Sequence, residues 1–177
     1  FDCGTMYGYA EMELSKVKYF PRSANTTYTI KVWTGNDGTL TPSTLVYSQA
    51  HTPTVNQWNE VELNTHIPIT GTQALWIGYE CVVASGTDYY PAGCDAGPAV
   101  VGYGDLISLG TWVSMATAYQ LDYNWNLQGY FDIPTGGKAP RLLSIPVINK
   151  ELPSREHLAV RFTTSGNSNP PTRVLRG

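Results

Sequence analysis

The chain has 177 residues, enough for one domain with a well-buried core. Charged residues make up only 14% of it, against roughly 25% in an ordinary globular protein. The 11 basic and 14 acidic side chains leave a net charge of -3, and no Lys/Arg stripe is interleaved with aromatics, which argues against a nucleic-acid partner. No apolar run approaches the roughly 20 residues that cross a bilayer, so membrane insertion is not expected.

Gly (17), Pro (12) and Tyr (12) are plentiful and Thr recurs throughout, a mixture that suits strands and turns. The predicted elements follow in chain order. The opening FDCGTMYGYA holds no basic segment followed by an apolar one, so an export signal is expected outside it or already removed. In LSKVKYF, Val17 and Tyr19 share one face and Lys16 and Lys18 the other. In TTYTIKVWT, Tyr28, Ile30 and Val32 alternate with Thr29, Lys31 and Trp33, and the turn Gly35-Asn36-Asp37-Gly38 ends the strand. A strand at Leu45–Ala50 follows, and then QWNEVEL, with Val61 and Leu63 inward and Glu60 and Glu62 outward. HIPITGTQ reads as a connector. ALWIGYEC then places Leu75, Ile77, Tyr79 and Cys81 on one face.

Residues 82–110 are Gly-rich and read as a long loop with one short strand around Val100–Val101; loops of this length are usually functional or disordered. TWVSM and NWNLQGYF supply the last strands of a domain expected to span residues 1–135. DIPTGGKAP has the composition of a linker. Residues 136–177 are expected to hold that linker, two short strands (LLSIPVI and HLAVRFTT) and a flexible tail, as part of a second module or as strands docked on the first. Antiparallel alternation without crossover helices predicts an all-β fold, a two-sheet antiparallel β-sandwich of jelly-roll type.

The three histidines, His51, His66 and His157, lie in or near Pro-containing connectors and are expected to be exposed and inert. There is no G-x-S-x-G elbow, no HExxH, no CxxC and no phosphate-binding loop. Glu60 and Glu62 share a face as a glycosidase pair would, but a solvated strand surface looks the same and is the favoured reading. The chain is therefore expected not to be an enzyme.

The aromatics are more suggestive. Trp33, Trp58 and Trp76 fall opposite the faces assigned to the core, and Tyr89 and Tyr90 sit in the long loop. Flat rings stack on sugars and are enriched at protein interfaces, so these five are the candidate ligand-binding residues. The competing and favoured reading is that the N-terminal segment, the long loop or the tail covers the outer faces. Asp88, Asp95 and Asp105, in a stretch where carbonyls are free to turn inward, are candidate ligands for structural calcium. Cys81 and Cys94 either close a disulfide across twelve residues or remain free thiols; pairing of Cys3 with one of them is a third arrangement.

The series LSKVKYFPRSANTTYTIKVWTG, QWNEVELNTHIPITGTQALWIGYE, GPAVVGYGDLISLGTWVSM and NWNLQGYF resembles the jelly-roll adhesin-like modules of secreted Bacteroidetes proteins. These include the cleaved-adhesin domains of gingipain-type proteases and haemagglutinins, and the likeness covers roughly residues 10–132. The resemblance implies a secreted or cell-surface location and a module that adheres to an extracellular glycan or host protein. It also implies neighbouring domains on the same polypeptide and, in many such modules, bound calcium. The alternative expectation is a structural accessory domain of a secreted protease or other hydrolase, with no ligand of its own.

Overall fold

A computed structural model describes residues 9–35, 41–84 and 90–134, and the backbone path of residues 159–164. The turn at 36–38, Tyr89, Asp88, Cys3, His157, the boundary near 136 and the LLSIPVI segment lie outside the described residues. The strands are β1 (Glu13–Tyr19), β2 (Thr26–Gly35), β3 (Thr44–His51), β4 (Asn59–Pro68), β5 (Ala74–Val83), β6 (Leu106–Ser108), β7 (Trp112–Ser114), β8 (Leu127–Asp132) and β9 (Ala159–Thr164). Among the described residues one short helix, α1 (Met115–Tyr119), interrupts them. No helix among the described residues is long and apolar enough to cross a membrane.

The molecule is a two-sheet β-sandwich, as the alternation predicts. A three-stranded sheet has the order β4-β1-β8, and a larger one the order β3-β2-β5-β9-β6-β7. The chain crosses repeatedly between them. Every strand pair is antiparallel except those of β9, which runs parallel to both β5 and β6. That departs from the wholly antiparallel expectation. Two more predictions shift: β4 runs on through His66 to Pro68, where a connector was expected, and the short strand of the long loop is Leu106–Ser108 instead of Val100–Val101.

Between the sheets the predicted inward residues meet. Val17, Tyr19, Ile30, Val32, Ile77, Tyr79 and Cys81 are all fully buried. Tyr19 packs on Tyr79 and Tyr28 with ring centroids 4.8 and 5.8 Å away. Burial pushes the Tyr19 hydroxyl well above the ordinary phenol range, and it shares a 2.8 Å hydrogen bond with Nδ1 of His51. His51 is thus half-buried and engaged, its pKa lowered by burial, where an exposed and inert ring was expected. The two sheets approach closely at Gly129: a Cβ there would lie 2.6 Å from Cδ1 of Ile77 and 3.1 Å from Cδ1 of Leu14. Gly129→Ala is expected to destabilise the fold by about 1–2 kcal/mol, because fully buried Ile77 must leave its rotamer. An unchanged urea midpoint would show that the sheets have slack there.

The outer face of the larger sheet is covered as well. Trp33 and Trp76, directly paired across β2 and β5, join Leu106 in a second apolar cluster with Tyr103 and Trp112 packed on it. The cover is held by a polar web. Asp105 is fully buried; its carboxylate accepts from the backbone N–H groups of Gly102 (2.7 Å) and Ala116 (3.1 Å) and from the Ser114 hydroxyl (2.5 Å). Ser114 Oγ in turn accepts from Thr117 N–H and caps α1. Asn124 bonds Asp95, the Pro98 carbonyl and Val100 N–H, and Asp122 accepts from Ala99 N–H.

Candidate functional site

The solvent side of the β4-β1-β8 sheet combines two exposed aromatic rings with a cluster of charged groups. Its layout follows from the ladder. Lys16 sits between Glu62 and Tyr130, and Lys18 between Glu60 and Gln128. Beyond the strand end, Phe20 N–H bonds the Asn126 carbonyl and the Phe20 ring meets Trp58 edge-on at 5.8 Å. Because successive side chains alternate, residues 16, 18 and 20 project to the same side. Three rows of three result, with Tyr130 and Trp58 at opposite corners.

Each corner is fixed locally. Asn59 closes the turn before β4: its Oδ1 accepts from Thr54 N–H (2.9 Å) and its Nδ2 donates to the carbonyls of Thr54 (2.8 Å) and Gln57 (2.9 Å). Asn56, with φ 59° in the left-handed region, bonds the Pro21 carbonyl. Trp58, 40% exposed, is held out by this turn. At the other corner the ladder slips between Leu14 and Lys16, so that Ser15 bulges from β1. Its hydroxyl lies 3.4 Å from the Tyr130 carbonyl and 2.5 Å from Oδ2 of Asp132. Tyr130 is 37% exposed.

A chain of contacts joins the two rings. The Lys18 ammonium lies over the Trp58 ring at 5.6 Å and 3.3 Å from Oε1 of Glu60. The Lys16 ammonium lies 3.6 Å from Oε2 of the same carboxylate, 3.7 Å from Glu62 and over the Tyr130 ring at 5.7 Å. Lys18, with Lys16 behind it, holds the Glu60 carboxyl below the usual carboxylate range. These pairs are solvent-accessible and each contributes little to stability, so they remain free to rearrange around a ligand.

Past the bulge, Glu13 and Asp132 are register partners on the same side. His66 Nδ1 lies 2.6 Å from Glu13, and its Nε2 3.6 Å from Glu62. The hydrogen bond to Glu13 raises the His66 pKa, and the charges of Glu13 and Glu62 add to it. Like His51, His66 is therefore engaged where an inert side chain was expected. A cleft of about 520 Å³ opens beside it, lined by Met12, Glu13, His66, Phe131, Asp132 and Ile133.

Comparison with protein-family models, with characterised proteins and with solved structures finds no match.

The remaining candidates distribute as follows. Trp33 (6% exposed) and Trp76 (1%) are not open platforms; the 100–114 segment covers them, as the competing reading held. Tyr90 is half-buried and leads into Pro91, whose carbonyl is bonded by Arg22 N–H and the Tyr28 hydroxyl, so it borders the segment after β1. Asp95 and Asp105 do not converge. The Asp95 carboxylate takes the N–H groups of Gly97 and Asn124 and the Asn124 amide, while Asp105 serves the α1 end of the cover. Among the described residues no three His, Cys, Asp or Glu side chains group as metal ligands. Cys81 and Cys94 are free thiols and not a disulfide: Cys81 is fully buried beside the core tyrosines, and Cys94 is exposed in a bridge to Trp125. Tyr130, Lys16 and Lys18 were not singled out from the sequence as binding residues. Tyr130 joins Trp58 only through the β1–β8 register, which no local pattern reveals.

Proposed function

We propose that this is a non-catalytic module of a secreted or cell-surface protein that binds glycan on the exposed face of its three-stranded sheet. The observation that supports it is the pairing of two exposed rings, Trp58 and Tyr130, with a charged, hydrogen-bonding centre. A protein interface is built the other way round, with an apolar, charge-depleted middle and a polar rim. A sugar presents hydroxyls for the lysine and glutamate groups and an apolar ring face for stacking on the aromatics. A glycan array probed with the folded protein is expected to give hits that Trp58→Ala and Tyr130→Ala each weaken by about five- to tenfold, since one lost stacking contact is worth about 1–1.4 kcal/mol. Hits unaffected by both substitutions would place the ligand elsewhere, and a blank array would remove the reading.

A second reading rests on the edge strand β3. Its residues Thr44–His51 contain no Lys, Arg, Asp, Glu or Pro, and Leu45 and Val46 are 47% and 43% exposed. Edge strands usually carry such residues as protection against pairing. An unguarded edge suits an accessory domain that packs against another part of its own polypeptide. Under this reading, removing the domain from its parent lowers stability or export and leaves ligand binding unchanged.

A further inference from the structure

From the charge layout and spacing of the β4-β1-β8 face, and resting on the glycan reading above, we infer that the ligand is an uncharged oligosaccharide long enough to lie diagonally from Trp58 to Tyr130. Two features support this independently.

The first is distance. Trp58 and Tyr130 stand four residues apart along the sheet and two strands apart across it. At about 3.4 Å per residue and about 4.8 Å per strand, their Cα atoms are roughly 17 Å apart. That exceeds the reach of one or two sugar rings. A mono- or disaccharide meets one platform, and a longer chain meets both. The second ring is then engaged intramolecularly, so affinity rises in a step once the chain spans the gap.

The second is charge. Lys16 and Lys18 are the cations of this face, and both are already shared with Glu60. Glu62, Glu13 and Asp132 stand on the same side, with His66 between Glu13 and Glu62. Among the described residues of this face, four carboxylates outnumber the two ammonium groups and His66 together, which leaves the surface negative. Uronate or sulfate groups would meet like charge, whereas hydroxyls find both donors and acceptors. Glu60 is the hub: its two oxygens hold one lysine beside each ring. Stacking therefore requires both ammonium groups to swing aside, and Glu60 keeps them within reach of the sugar hydroxyls.

Titration calorimetry would test this, using neutral β-linked gluco-, manno- and xylo-oligosaccharides of increasing length alongside length-matched uronate and sulfated chains. The expected result is binding to a neutral chain, a step in affinity between the disaccharide and chains of four or more rings, and a preference over the matched anionic chain of about tenfold or more. Trp58→Ala should abolish the step and leave the short-chain affinity of the Tyr130 corner. The double variant Glu60→Gln, Glu62→Gln should narrow or reverse the preference for neutral chains, because Lys16 and Lys18 are then uncompensated. Binding without a length step, or equal binding of anionic chains by the unmodified protein, would overturn this inference while leaving the glycan reading in place. Failure to bind any chain, neutral or anionic, would overturn both. All three substituted side chains are exposed, and unchanged thermal melting would confirm that the variants fold.

Discussion

Trp76→Ala is expected to lower the unfolding free energy by about 3–5 kcal/mol. The side chain is 1% exposed although it lies on the outer face of its sheet. Tyr103 stacks over it with the planes 10° apart and the centroids 6.1 Å apart, and Trp33 lies directly opposite on β2. Removing the indole would leave a void between the sheet and the 100–114 cover. The neighbours would relax into it only partly, because Trp33 is itself pinned edge-on against Trp112 at 5.4 Å. Trp76→Phe makes an informative control. The indole N–H is buried without a hydrogen-bond partner, so phenylalanine loses volume but also removes an unsatisfied donor. It should cost well under half as much as alanine. Urea titration of the two variants would decide: equal losses would mean that the N–H is hydrogen-bonded in solution and that its loss, not the lost volume, sets the cost.

Asp105→Ala is expected to cost about 3 kcal/mol or more. One fully buried carboxylate serves three donors from separate parts of the cover: Gly102, Ser114 and Ala116. Its deletion leaves two part-buried backbone N–H groups without their acceptor, each worth up to about 1–3 kcal/mol. The Ser114 hydroxyl can turn elsewhere, but the N–H groups cannot. Asp105→Asn keeps one acceptor oxygen and is expected to recover part of the loss. The loss should also be local in its first stage: detachment of the 102–116 segment uncovers Trp33 and Trp76, and a red shift in tryptophan emission should precede global unfolding in the alanine variant. A single cooperative transition with unchanged midpoint would show that water replaces the carboxylate.

The legible part of the fold was the part with a wet side. β1 and β4 alternate cleanly because one face meets water, and Val17, Tyr19, Val61 and Leu63 were assigned inward on that ground alone. β2 and β5 are buried on both faces from Ile30 to Trp33 and from Ala74 to Tyr79, so period two fades there. Trp33 and Trp76 were placed on the correct side of the sheet, but polarity could not say which segment lies over them. α1 was missed because five residues carry too little of a 3.6-residue period; the Ser114–Thr117 cap was its available signal. Of the candidate face, Trp58, Glu60 and Glu62 are legible in the sequence as outward residues. Tyr130 required the β1–β8 register and the bulge at Ser15, and both are long-range facts.

The double burial of β2 and β5 also bears on how the chain finds its alignment. A strand greasy on both sides does not protest when its neighbour is displaced by a single position. Lys31 and Glu80, 2.8 Å apart with side chains 10% and 17% exposed, supply the objection. In a shifted pairing the ammonium would be pushed toward the hydrocarbon interior without its counterion, at a cost of several kcal/mol. The pair therefore weighs against the misaligned competitors. Its consequence is thus for the choice of register as well as for the finished sandwich.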